Sequence, residues 1–363
     1  MLAFLVGSDY WPDRRATATY VEASNDLNWQ SPVISSAAKR GFSEVLGPSG
    51  LDMNGPCDWV PPKYWWGHRK VAAFRFGSLL GAAVGLYHMS TNESSFLDRH
   101  IYDREMFRRY GKPTCFENSL LQAQMIDYEA TRTEFEGYQA KWNAVGPATG
   151  FTYWVLKKAW PSLHWNLFDY YLHPAGSYFG AKVGSRTEHV AYDYNKGTVY
   201  LINHSLNREG ARSIDIELIG LDDRSLAKRT ISADTDPNVS RSVGKVPGLF
   251  KIKDAAFLRL LLRDAQGSML SRNVYWPSAS ADELDWDEST WFHTPQTSYA
   301  DFTTFDKLKA ASISAIVDEK GTNNSNTILN ITSHNQADVP ALFIRSNLVD
   351  GDGEDVTPGL VVE

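Results

Sequence analysis

The stretch Gly150-Phe-Thr-Tyr-Trp-Val-Leu-Lys-Lys-Ala-Trp-Pro-Ser-Leu-His-Trp-Asn-Leu-Phe-Asp-Tyr-Tyr171 decides how the rest of the chain is read. It opens as a short apolar run of the kind that makes a fully buried strand. At Ala159-Trp160-Pro161 it breaks into a loop carrying Trp160, His164, Trp165 and the carboxylate of Asp169. Indole faces stack well on the apolar C–H faces of a pyranose ring, while polar neighbours take up its hydroxyls. An aromatic loop on a strand end therefore suits a sugar floor. Aromatic density also serves a packed core, and the residues taken alone favour the core.

Upstream of this stretch, residues 1 to about 185 alternate short apolar runs with helical periods, as β/α units do. Leu2–Val6, Pro32–Ser35, Ala72–Phe76 and Phe151–Leu156 read as buried strands. Ser95–Tyr110 reads as a helix stopped by Gly111 and Pro113. A second helix is predicted from about Asn118 to Trp142. Its Leu121, Met125, Tyr128, Phe135, Tyr138 and Trp142 recur on a 3.6-residue period, which marks a core-facing stripe.

Downstream the texture changes to alternating segments between turn signals. His189–Tyr194 and Thr198–Asn203 flank Asn195-Lys-Gly197 as in a hairpin. Ile214, Ile216 and Leu218 alternate with Asp215 and Glu217 as in a half-buried strand, and Phe257–Leu262 is apolar on both faces. Residues 186–280 thus predict an immunoglobulin-like β-sandwich. The acidic Asp282–Glu288 stretch reads as a linker. Residues 281–363 predict a second, incomplete β-sandwich, with strands near Ser312–Val317, Thr327–Ile331 and Ala341–Ser346.

The 363 residues suffice for two or three domains, and 43% apolar content with 12 Trp, 17 Tyr and 17 Phe excludes a disordered chain. A net charge of −7 excludes a nucleic-acid face and suits a cationic substrate. No run approaches the roughly 18 apolar residues of a membrane span. Met1–Val6 is too short, and lacks the basic start, for a secretory signal. Sequons at Asn92, Asn203, Asn238, Asn323 and Asn330 nonetheless suit a secreted glycoprotein. Cys57 and Cys115 are the only cysteines and fit two unrelated buried thiols or one disulfide; neither they nor the nine histidines form a metal-ligand motif.

Several runs, in order, resemble the exo-β-D-glucosaminidases of glycoside hydrolase family 2. They are Gly7-Ser-Asp9, Gly47-Pro-Ser-Gly-Leu51, Gly55-Pro-Cys-Asp-Trp-Val-Pro-Pro-Lys-Tyr-Trp65, the Trp160-Pro-Ser-Leu-His-Trp165 run and Ser271-Arg-Asn-Val-Tyr-Trp276. The resemblance implies the C-terminal half of a (β/α)8 TIM barrel over residues 1–185, beginning at barrel strand four. A whole barrel needs eight strands and roughly 250 residues, and at most five strands are legible here. The chain therefore reads as cut at both ends. The open barrel edges predict marginal stability or oligomerisation unless a partner covers them.

The implied reaction is retaining removal of glucosamine from chitosan oligomers, outside the cell, without metal or cofactor. Such chemistry needs two carboxylates about 5–5.5 Å apart, an acid/base and a nucleophile. Asp9 matches the acid/base position. The nucleophile segment fits Ala73-Phe-Arg-Phe-Gly-Ser-Leu-Leu-Gly81, but Leu79 stands where the pattern has Glu, and some two dozen following residues are missing by the same comparison. Leucine has no lone pair to attack an anomeric carbon. Glu44, in Phe42-Ser-Glu-Val45, imitates the motif but reads as a solvated loop residue. Asp58, Tyr64, Trp65, Trp154 and Trp160 are the expected substrate-binding residues. Lys157 stands where the resemblance expects Asn, and would repel a glucosamine ammonium if it faced the sugar. The expectation is a weak or inactive glucosaminidase-like chain. Its alternatives are a non-catalytic sugar binder, a non-functional relic and, less favoured, β-mannosidase or β-galactosidase specificity.

Overall fold

Two parallel strand pairs, each trailed by helix, build the first half of the chain. The computed structural model describes residues 3–8, 13–37, 42–49, 51, 58–67, 73, 75–80, 100–157, 159–161, 166–290, 293–323, 326–337, 339–344, 349 and 351–352. Strand β1 (Phe4–Leu5) precedes helix α1 (Arg14–Asp26), whose first turn is closed by Asp13 accepting from Arg15 N at 2.9 Å. β2 (Val33–Ile34) then pairs in parallel with β1. The small antiparallel pair β3 (Phe42–Ser43) and β4 (Gly47–Pro48) follows, then the short helix α2 (Lys63–Trp66). β5 (Arg75–Leu80) is carried by helices α3 (His100–Tyr110) and α4 (Phe116–Ala140) to its parallel partner β6 (Ala148–Tyr153), and α5 (Gly176–Gly184) comes next.

Several sequence expectations shift here. Among the described residues the two parallel pairs are separate two-stranded sheets, not one curved sheet. With one neighbour each, these strands are not fully buried: Leu5 is exposed, and β6 shows Thr149 and Thr152 to solvent. The third strand falls at residues 75–80, a few positions later than expected. Cys115 is a free, exposed thiol at the start of α4, while Cys57 lies outside the described residues.

Helix α4 departs furthest from an amphipathic reading. Leu121 of the predicted stripe is exposed, yet Asp127, Glu129, Arg132, Glu134 and Glu136 are fully buried. The helix is enclosed on several sides. Gly176, Gly180 and Gly184 let α5 lie against its backbone; a Cβ at Gly180 would sit 2.5 Å from Tyr128 O. Gly137 meets Trp65 on another face. The charged groups reach across to the sheets that follow.

Those sheets span residues 188–275 and share one apolar core. β7 (Glu188–Asp193) and β8 (Thr198–Asn203) make the expected hairpin, with Gly197 at φ +62° in the turn. With β11 (Val239–Lys245) they form one antiparallel sheet. The other runs β10 (Ser225–Thr235), β9 (Gly210–Gly220), β12 (Ala256–Arg263), β13 (Met269–Tyr275). Ile214, Ile216, Leu218, Leu258 and Leu260 fill the space between, as their alternation requires.

Arg132 ties α4 to this sandwich, donating to Asn273 Oδ1 at 3.0 Å and Val274 O at 2.5 Å, with its guanidinium 4.0 Å from the centre of the Tyr275 ring. Glu136 Oε1 accepts from Asn273 Nδ2 and Tyr275 OH, each at 2.7 Å, and lies 2.9 Å from His189 Nε2. The Asp282–Glu288 stretch is not a free linker: Asp282 is buried against Arg109, which also donates to Glu129 at 2.5 Å. Beyond it, β14 (Glu283–Leu284) pairs with β15 (Gln296–Ser298), and β16 (Ile313–Asn323) with β17 (Asn326–Asn335). Of the strand expected at Ala341–Ser346, residues 341–344 are irregular and 345 and 346 lie outside the described residues.

Candidate functional site

Parallel pairing brings the decisive positions to one edge. Gly77 stands opposite Phe151 and Leu80 opposite Tyr153. The end of the strand bearing Leu79 therefore lies beside the end of the strand that runs into Trp154. In β/α sheets the loops beyond the carboxyl ends of parallel strands are where sites form. The backbone at 79 is that of a strand residue. Asp9 lies outside the described residues, just past Ser8; the carbonyl of Ser8 accepts from Ser36 Oγ at 2.5 Å and that of Gly7 from Ala37 N at 3.1 Å. Glu44 pairs with Arg14 at 3.1 Å, both side chains largely exposed, as expected of a solvated loop residue.

The loop beyond β6 is tied back on itself. Leu167 N donates to Val155 O at 3.2 Å, Phe168 N to Leu156 O at 3.0 Å and Ala175 N to Leu167 O at 3.0 Å. This backbone ladder holds large apolar side chains in solvent, with Trp154 47% and Trp160 67% exposed, alongside Tyr170 and Tyr171. Asp169 is occupied by His173, through the backbone N at 2.8 Å and Nδ1 at 3.1 Å. Lys157 is exposed, and its ammonium stands 5.6 Å from the centre of the Tyr170 ring. Lys158, His164 and Trp165 lie outside the described residues.

The other expected binding residues sit elsewhere in depth. Asp58 is 1%, Tyr64 0% and Trp65 2% exposed. Asp58 Oδ1 accepts from Trp59 N at 2.8 Å, and Tyr64 packs edge-on to Trp65 and face to face with Trp286 at 5.3 Å. Lys63 bonds Glu283 at 2.7 Å, and Lys141 donates to Trp65 O and Gly67 O, both at 2.7 Å. Burial brings the Lys141 ammonium down to about 8, against the opposing pull of Asp193. The segment 282–300 thus clamps the Asp58–Gly67 loop shut.

A buried polar cluster flanks that clamp, and no local pattern in the sequence announces it. Glu105 holds Arg104 at 2.7 Å and accepts from Gln296 at 2.6 Å. Burial, opposed by Arg104, raises its carboxyl. His293 is pushed down to about 4 by burial and by Arg104. On α4, Glu134 stands apart: among the described residues no hydrogen bond reaches either oxygen, and burial drives its carboxyl well above the ordinary range. Among the described residues no group of three His, Cys, Asp or Glu side chains is placed to hold a metal ion, and no helix is long and apolar enough to cross a membrane.

Comparison with known proteins places this geometry. Residues 291–361 match the family model of the exo-beta-D-glucosaminidase Ig-fold domain. An exo-beta-D-glucosaminidase of Hypocrea virens is 48% identical over 394 aligned residues, covering 99% of this chain and 44% of its own length. One from Streptomyces avermitilis is 33% identical, with 99% of this chain and 43% of that protein aligned. Over nearly its whole length the chain is a homologue of exo-β-D-glucosaminidases.

It spans less than half the length of these glucosaminidases. Amycolatopsis orientalis exo-chitosanase CsxA, solved with PNP-beta-D-glucosamine, matches its fold with a TM-score of 0.89 at 29% identity, over 98% of this chain and 46% of that one. A beta-D-mannosidase of Dictyoglomus thermophilum shares the fold at a TM-score of 0.59 and 16% identity, over 86% of this chain and 37% of that one. The family consists of glycoside hydrolases. The alignment with the Hypocrea virens glucosaminidase is longer than the chain, 394 positions against 363, so at least 31 of its residues face a gap here.

Proposed function

We propose that this chain is an exo-β-D-glucosaminidase-like protein in which sugar contact outlasts hydrolysis. One observation carries the reading: the strand holding Leu79 ends beside the strand that feeds the exposed Trp154–Trp160 loop. In this reading residues 1–185 are part of a barrel, residues 186–280 and 281–363 are β-sandwich domains, and Asp9 is the acid/base. The substrate is a chitosan or glucosamine oligomer, met outside the cell. Trp154 and Trp160 offer stacking faces, while Asp58, Tyr64 and Trp65 hold the neighbouring loop in place from inside. Edges of the two-stranded parallel sheets that are unpaired among the described residues would favour association with another chain.

Leu79 is the reason hydrolysis is weak. A retaining reaction has no covalent intermediate without a carboxylate at that place, and such a loss costs several orders of magnitude in rate. The gap of at least 31 residues against the Hypocrea virens relative is large enough to hold the two dozen residues that the sequence pattern expects after Leu79. Leu79→Glu therefore restores no more than trace glucosamine release from chitosan oligomers. Release at a substantial fraction of a family enzyme's rate in that variant would overturn the reading. The alternative of a purely sugar-binding protein is favoured by the same exposed indoles.

A further inference from the structure

Among the sequons whose side chains are described, one is open to modification. Asn203 is fully buried, and its Nδ2 donates to Arg208 O at 2.7 Å and to Asp236 O at 3.0 Å, so both amide hydrogens are taken. Asn238 sits in a left-handed turn at φ +54°, its side chain bonded to His204, and the Ser240 hydroxyl of its sequon is buried. Asn92 and the side chain of Asn323 lie outside the described residues. Asn330 differs from both buried sequons. It stands exposed in β17 opposite Asp318 of β16, with the exposed Thr332 two residues on. Strand alternation puts Asn330 and Thr332 on one face of the hairpin together with Ile316 and Asp318. The other face carries Ile313, Ala315, Val317, Leu329 and Ile331.

Resting on the reading of this chain as a protein met outside the cell, we propose that Asn330 is an N-glycosylation site whose glycan caps the polar face of the β16–β17 hairpin. An exposed Asn-x-Thr is the acceptor pattern. The donor is a lipid-linked oligosaccharide diphosphate, and the transfer involves no oxidation. Asn330 Nδ2 attacks the sugar C1; the C1–O bond breaks and the C1–Nδ2 bond forms. The amide gives up one proton, and the lipid diphosphate leaves with the bonding electrons. The first sugar then lies over Ile316, which is 53% exposed and diagonal to Asn330 across the strand pair. Its bulk closes that face to a neighbouring sheet and leaves the apolar face, with Val317 and Ile331, as the packing side.

The test translates the chain behind a cleavable secretion leader in the presence of microsomes, beside Asn330→Gln and Thr332→Ala, and counts glycans by endoglycosidase-sensitive gel shifts. Each substitution removes one glycan from the parent pattern. A pattern that neither substitution changes overturns the proposal. The leader supplies entry and transfer acts on the entering chain, so neither the extracellular reading nor the folding of a variant decides this arm. Peptide mapping of the chain secreted by yeast, after enzymatic glycan release in heavy-oxygen water, places the label at Asn330 and leaves Asn203 and Asn238 unlabelled. Label at Asn203 or Asn238 with none at Asn330 overturns the choice of site. Acceptance in microsomes with an unlabelled Asn330 in chain taken from its native source removes the extracellular reading, and the use of the site with it.

Discussion

Glu134 is a carboxyl fully buried in α4. Among the described residues no hydrogen bond reaches its oxygens, and burial raises its pKa. The unfolded chain gives up this proton from about 4.5, the folded chain only at higher pH. The unfolded state therefore binds fewer protons over that interval, and stability falls as pH rises from the unfolded value to the folded one. Glu105 and Glu129, also raised by burial, act in the same direction. Glu134→Gln removes its share. In thermal melts across mildly acidic to alkaline pH, the stability of the variant relative to the parent should grow with pH. A constant difference would show that Glu134 does not titrate as described. The sequence hid this residue because its helix carries an apolar stripe, and nothing local reveals that the opposite face is enclosed as well.

Between elements, α5 lies directly against the backbone of α4. Gly176, Gly180 and Gly184 recur every fourth residue, and a Cβ at any of them would meet α4 backbone at 2.8 Å or less. Gly180→Ala forces the helices apart or distorts them, at about 1–3 kcal/mol as for other overpacked contacts. A fall in the urea midpoint at unchanged slope is the expected result; an unaltered midpoint would contradict the packing. Elements whose information is local were legible in the sequence. The 188–203 hairpin announced itself through Asn195-Lys-Gly197, and α4 through its period. The Asp282–Glu288 stretch was misread, because the arginine that buries Asp282 lies 173 residues earlier. Residues 341–344 show the opposite failure, an apolar run that pairs with no strand among the described residues.

Across the whole molecule, α4 joins the parallel strand β6 to the sandwich, through Phe135 and Tyr138 against Phe151 on one side and Asn273, Tyr275 and His189 on the other. The candidate site was legible only in part. The aromatic loop and the leucine at 79 can be read along the chain, since each is a departure within a short run. Their adjacency cannot, because β5 and β6 pair across two intervening helices. The enclosure of Asp58, Tyr64 and Trp65 was equally hidden, since it is imposed by residues 283–286 from far down the chain. The central claim, a sugar-facing edge without a nucleophile, is tested most directly by glucosamine release from chitosan oligomers, run for the chain and for Asp9→Ala side by side. Both should release no more than background. Release by the chain that disappears in Asp9→Ala would contradict the account, because it would mean a working acid/base and a nucleophile that is not Leu79.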